Sequence, residues 1–196
     1  VKVIPEIQLG SHDVTPEKIA ENTTILRNNE GLNLDDYTML DCLDCWAERS
    51  PNTVCMRERI SDGWSEISYK EFLSRVTCVA ANLATLDISS EKPLMIVAPN
   101  SINHALVTFA AMTIGVPVTP VSIAYAQHGE NFERLDNIIN IIKPGAIYFS
   151  DTGFFKKAVA AVLNTHDIQC IASNSNMEDV LTIRDLPNVE PAEVAR

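Results

Sequence analysis

The sequence predicts an α/β fold: a parallel sheet flanked by helices, with an added β-hairpin. Short continuous apolar runs, Leu94-Met95-Ile96-Val97-Ala98 and Ala146-Ile147-Tyr148-Phe149, mark strands covered on both faces. Around them, apolar residues recur at three- and four-residue steps, the period of amphipathic helices. The two patterns alternate with short connections, which is the order a parallel sheet with helices on its faces produces.

Residues 1–37 are polar, with sparse apolar positions and no sustained period, and are expected to form an extended lead-in with short helical turns. One such turn is expected after Thr15-Pro16-Glu17, where Thr caps and Pro opens a helix. From Thr38 the texture changes. Thr38 caps a helix carrying Leu40, Leu43 and Trp46 that ends near Ser50-Pro51. Residues 53–57 and 64–69 are strands joined at Ser61-Asp62-Gly63, a hairpin. Phe72, Val76, Val79, Leu83 and Leu86 define a helix over 70–86, followed by the strand at 94–98. Ser101 caps the next helix, which stops at Gly115. The extended stretch at 116–120 contains two prolines, which places it near an edge or a strand end. Phe132, Leu135, Ile138, Ile139 and Ile142 mark a helix closed by Lys143-Pro144-Gly145. A strand at 146–149, a helix at 154–164 and a strand at 168–171 follow, with a last short helix expected near Asn176. The domain reading is a lead-in at 1–37, an α/β unit at 38–184, and a proline-containing linker at 185–196.

Composition narrows the function classes. Fifteen Lys plus Arg against 26 Asp plus Glu give a net charge of −11 over 196 residues, with a pI near 4.7. That balance argues against nucleic acid or an anionic membrane surface as the partner. No apolar run approaches the roughly 20 residues needed to span a bilayer. The first residues lack the charged-then-apolar layout of a signal peptide. Five cysteines, an odd number outside any small disulfide framework, agree with a cytoplasmic location.

Candidate chemistry is sparse. Cys42-Leu43-Asp44-Cys45 spells CxxC, but the pair falls inside a helix rather than at its start, where the dipole lowers a thiol pKa. Buried structural thiols are the expectation. His12, His104, His128 and His166 are scattered singly, so no zinc set is assembled. His104 lies one turn into its helix without a carboxylate or nucleophile at motif spacing, which favours a packed or rim histidine. Asn100-Ser101 is expected to be a helix cap, Tyr125 a surface-loop tyrosine, and Glu130 and Glu133-Arg134 a solvated face. Glycine-rich phosphate loops of either common spelling are absent, and the chain holds only seven glycines. Accordingly no catalytic, cofactor-binding or metal-ligating residue is assigned.

The order of the segments carries more information than any one of them. Trp64-Ser65-Glu66-Ile67-Ser68-Tyr69-Lys70-Glu71-Phe72 resembles an early motif of the adenylate-forming superfamily, which includes the acyl-CoA synthetases. Pro99-Asn100-Ser101-Ile102-Asn103-His104-Ala105 resembles its next segment, with Asn103 where Glu is common. Residues 111–121, with Gly115 and Pro120, resemble a third. Asn100 to Ala105 followed by Pro120-Val121-Ser122-Ile123-Ala124-Tyr125 is similar to the feruloyl-CoA synthetase branch, with Ile123 where that branch has Pro, and residues 144–149 match its next strand.

The resemblance implies an N-terminal piece of an ATP-dependent acid–CoA ligase. Such enzymes form an acyl-adenylate and pass the acyl group to CoA, so ATP, Mg and CoA are implied for the full-length enzyme and none for the piece. Its Ser/Thr/Gly-rich phosphate loop, nucleotide motifs and catalytic lysine have no counterpart in this sequence; Ser173-Asn174-Ser175-Asn176 has neither glycines nor lysine. The piece alone is therefore expected to be inactive. Its implied partners are the missing C-terminal parts, a small carboxylic acid and, through apolar surface left uncovered, further copies of itself. Two rival readings stand beside this one. A receiver-like domain needs an acidic pair after its first strand, whereas Asp35-Asp36 falls in the lead-in and Asp151 stands alone. A stand-alone α/β partner-binding module is separated from a ligase by whether a phosphate loop or a stop codon follows Arg196.

Overall fold

The computed structural model describes residues 13–29, 38–127 and 132–183. The chain divides into two compact units, 1–37 and 38–196. Asp35-Asp36, His12, His128, Glu130 and the expected linker at 185–196 lie outside the described residues.

In the first unit β1 (Val14–Ala20) pairs antiparallel with β2 (Thr23–Asn28). The helical turn expected after Thr15-Pro16-Glu17 is a strand instead. Pro16 is paired opposite Leu26, and the ends are tied by Asn29, whose N–H donates to the Asp13 carbonyl at 2.9 Å. Glu17 bonds Arg27 across the pair at 2.6 Å. These cross-strand contacts outweigh the local capping signal.

The second unit begins with α1 (Met39–Arg49), where Thr38 and Asp41 form a reciprocal capping box. The hairpin follows as β3 (Val54–Ile60) and β4 (Gly63–Ser68), with Arg57 opposite Glu66 and Glu58 opposite Ser65. Ser68 caps α2 (Tyr69–Leu83). Then come β5 (Leu94–Val97), α3 (Ile102–Thr113), β6 (Val118–Pro120), the single turn α4 (Ala124–Gln127), α5 (Glu133–Ile142), β7 (Ala146–Asp151), α6 (Lys156–Thr165), β8 (Gln169–Asn174) and β9 (Leu181–Thr182).

Five strands form one parallel sheet in the order β6-β5-β7-β8-β9. Side-chain alternation sorts its residues cleanly. Leu94, Ile96, Ala146, Tyr148 and Ile171 face α2 and α3, where they meet Leu83, Val107 and Ala111. Met95, Val97, Ile147, Phe149, Cys170 and Ala172 face α5 and α6, where they meet Leu135, Ile139, Val159 and Val162. The switch of helix layer between α3 and α5 accompanies the reversal of strand order at β5, since β6 is added on one side of it and β7 on the other, as right-handed crossovers require. A third layer lies outside α2 and α3, where Leu43 of α1 and Ile67 of β4 pack on Phe72, Val76, Ile102 and Leu106.

The helix expected near Asn176 is not formed; residues 175–180 turn and deliver β9 alongside β8. The reason is local capture. The Asn176 N–H donates to the hydroxyl of the fully buried Thr152 at 3.2 Å, and that hydroxyl donates back to Asn176 Oδ1 at 3.1 Å. Side chain and backbone are both committed before a helix can start.

Two glycines differ in what they protect. Gly115 adopts φ +70° after α3, with nothing near the place of an added Cβ. At Gly145 an added Cβ would lie 2.0 Å from the Asp87 carbonyl oxygen, which is backbone and cannot swing away. Gly145→Ala is therefore expected to lower stability by more than about 2 kcal/mol, as an overpacking defect. Gly115→Ala is expected to lose only about 1 kcal/mol, as left-handed strain. Urea midpoints of the two variants check this; equal losses would contradict it.

Candidate functional site

With β5 first in the chain, the sheet has the 2-1-3-4-5 order of doubly wound folds. In such folds ligands bind beyond the carboxyl ends of the strands, where the order reverses. Here the switch point lies between the ends of β5 and β7, bounded by residues 98–101 and 152–155.

Ser101 begins this edge. Its hydroxyl accepts the His104 N–H at 3.0 Å, so it caps α3 as the sequence predicted. The N–H of Ile102, the first residue of α3, donates to Glu58 Oε2 at 3.0 Å. Glu58 comes from the hairpin, 44 residues earlier. A helix start at a switch point is a ready anion site, but here a protein carboxylate already occupies it. His104 is half-buried with Nδ1 3.2 Å from the Pro99 carbonyl, an arrangement that takes the Nδ1–H tautomer. It is the rim histidine expected.

At the end of β7, Asp151 Oδ1 accepts the Phe154 N–H at 3.0 Å. The Ser/Asn cluster is absorbed by the scaffold. Ser173 Oγ meets the Tyr148 hydroxyl at 2.5 Å, the Asn174 carbonyl accepts the Thr152 N–H at 3.1 Å, and Ser175 accepts the Met177 N–H at 3.1 Å. Burial raises the Tyr148 hydroxyl pKa; the Ser173 bond opposes that, and the Glu58 charge adds to it. A cavity of about 570 Å³ opens on this edge, lined by Ala126, Gln127, Phe132, Gly153, Phe154, Phe155, Lys156 and Lys157. Phe154 is 65% exposed there. The surface offers cationic and aromatic character, and no paired acid and base.

The other considered residues are dispersed. Tyr125 sits on α4, half-buried, with the Arg134 guanidinium 6.0 Å from its ring centre. His166 pairs with Asp136 at 2.6 Å between α6 and α5. Among the described residues no group of three or more His, Cys, Asp or Glu could hold a metal ion. No described helix is long and apolar enough to cross a membrane. Sequence reasoning passed over Glu58. Its signal was there: hairpin alternation puts it on the face of Met56 and Ile67, which packs inward, so an acid at that position needs a donor.

The cysteines need a correction. Buried thiols were expected, but Cys42 and Cys78 are exposed, Cys45 and Cys55 half-buried, and only Cys170 is buried. Helical phase explains it: the α1 face that packs inward carries Leu43 and Ala47, which leaves Cys42 outside.

Comparison with known proteins follows this geometry. A model of the family described as AMP-binding enzyme matches residues 43–193. No curated protein sequence matches the chain. Solved structures share the fold. One described as a long-chain-fatty-acid CoA ligase from Rhodopseudomonas palustris superposes with a TM-score of 0.62 at 16% identity, over 80% of this chain and 38% of that one. VinN gives 0.60 at 19% identity, over 80% and 36%. The luciferase-like enzyme of the nonluminescent mealworm Zophobas morio gives 0.65 at 15% identity, over 85% and 39%. The chain thus spans well under half the length of these structures.

The thiols yield a test. Burial pushes the Cys170 thiol up to about 12 from 9.0. A raised folded-state value favours the neutral thiol, so this contribution to stability is intact below pH 9 and is lost as pH rises toward 12. Cys42 and Cys78 are expected to react with a thiol reagent at pH 8 within minutes, and Cys170 only on unfolding. Mass-spectrometric mapping of the labelled sites checks the order. Prompt modification of Cys170 in the folded protein would contradict it.

Proposed function

The chain belongs to the AMP-binding enzyme family, and from that premise we propose that it is the N-terminal part of a longer ATP-dependent acid–CoA ligase. The observation that carries the reading is the family match over residues 43–193, together with a fold that spans 38% of a ligase-described structure. In this reading residues 38–184 form the α/β unit, and residues 185–196 lead to a phosphate loop that follows. The whole enzyme would activate a carboxylic acid as its acyl-adenylate, release pyrophosphate, and transfer the acyl group to CoA in the cytoplasm.

The described residues do not fit ATP or Mg. The Ile102 and His104 N–H groups at the start of α3 go to Glu58 and Ser101, a carboxylate would repel phosphate, and no acidic cluster among the described residues offers a metal ligand set. The unit's role is that of a scaffold. It presents the carboxyl edge of a rigid parallel sheet, with the Phe154–Lys157 corner, to the parts that carry the chemistry.

For the substrate we propose an aromatic acid of the hydroxycinnamate type. The support is sequence similarity at residues 100–105 and 120–125 to the feruloyl branch, read with the two departures at Asn103 and Ile123.

Two measurements test these readings. The 196-residue chain with ATP, Mg and either ferulate or a fatty acid is expected to release no pyrophosphate above a heat-inactivated blank, while the protein read through past Arg196 releases it. Turnover by the short chain would overturn the scaffold reading, and a stop codon after Arg196 would favour a partner-binding module. On the longer protein, hydroxycinnamates are expected to exceed every medium- or long-chain fatty acid in kcat/KM by more than about tenfold, or roughly 1.4 kcal/mol of transition-state binding. The reverse order would remove the aromatic assignment and leave the family membership intact.

A further inference from the structure

Helix α3 starts at the switch point without an acidic residue in its first turn, Ile102-Asn103-His104. A helix start carries about half a positive charge and favours a negative partner within that turn. The partner present comes from elsewhere in the fold. Glu58 Oε2 accepts the Ile102 N–H at 3.0 Å. It is held there by the hairpin register, which sets Glu58 opposite Ser65 on the face that carries Met56 and the buried Ile67. Its charge also reaches the Tyr148 hydroxyl on β7, the strand beside β5. The same carboxylate therefore does two things at once: it pins the hairpin to α3, and it fills the anion position at the end of β5.

We propose that Glu58 is a positioning residue that acts as the resident anion of α3, supplying across the fold the charge this helix lacks and closing the switch point to external anions. Its role is electrostatic before it is steric. A neutral side chain of the same shape fails to replace it, and a carboxylate placed in the first turn of α3 replaces its charge.

The test uses the 196-residue chain and its variants in thermal denaturation and amide NMR. Glu58→Gln is expected to lower Tm by about 2–4 °C. Adding Asn103→Glu in that background is expected to restore most of the loss; in the parent chain, where the carboxylate is already present, Asn103→Glu is expected to add little. A purely structural role for Glu58 would give no such rescue. The second arm uses inorganic phosphate against chloride at matched ionic strength. Phosphate is expected to raise Tm and shift the Ile102 amide in Glu58→Ala, and to leave the parent chain unchanged. If Glu58→Ala does not fold, Glu58→Gln is read in its place, with a smaller but measurable shift expected. Failure of Asn103→Glu to rescue overturns the proposal, and so does a phosphate response in the parent chain as large as in the variant. Neither outcome touches the ligase reading, which rests on the family match over residues 43–193 as a whole.

Discussion

The burial of strand β5 on both faces is the constraint on which the rest of this unit depends. All four residues of Leu94–Val97 are inaccessible to solvent. Leu94 and Ile96 need one helix layer, Met95 and Val97 another, and neither pair is satisfied by a hairpin partner. A central strand of this kind requires parallel neighbours delivered by crossovers, and right-handed crossovers then fix which helices lie on which side. α3 and α5 are on opposite layers because β6 and β7 flank β5 on opposite sides. The switch point at the carboxyl end follows from the same geometry.

That geometry creates a place where backbone N–H groups converge, and the local sequence decides what is done with it. Enzymes that bind nucleotides in such a crevice leave the donors free behind a glycine-rich turn. Here Ala98-Pro99-Asn100-Ser101 contains no glycine, the serine caps its own helix, and a carboxylate arrives from the hairpin. The fold alone would suggest a phosphate site; the residues at the edge remove it.

Elements specified by neighbours in the chain were legible in the sequence. α2 announced itself by Phe72, Val76, Val79 and Leu83, α3 by Ser101 and Gly115, and β5 and β7 by their unbroken apolar runs. Elements specified by distant partners were not. β9 is two residues long and exists because Leu181 finds Ile171; no period can signal that. The turn at Asn176 depends on Thr152, buried 24 residues earlier. By contrast, α5 closes at Lys143, in the left-handed region at φ 51°, where the Lys143-Pro144-Gly145 signal puts its end. Glu58 lies one residue beyond the strand expected at 53–57, and its meaning depends on Ile102. At the candidate site, the scaffold duties of Ser101 and His104 were readable, while the closing of the anion position was a long-range fact.

The two prolines around β6 bear on how the chain is made. Pro117 C=O and Val121 N–H both face β5, so by alternation Pro120 turns toward the open side of the strand, where it has no N–H to offer. β6 leaves the ribosome about 26 residues before β7 begins, which is roughly 1–5 s at ordinary elongation rates. During that interval β5 has one neighbour and one bare flank. The proline side gives a nascent sheet little to recruit from other chains, and growth proceeds in one direction only, through β7, β8 and β9. Among the described residues the series ends with β9, a strand of two residues.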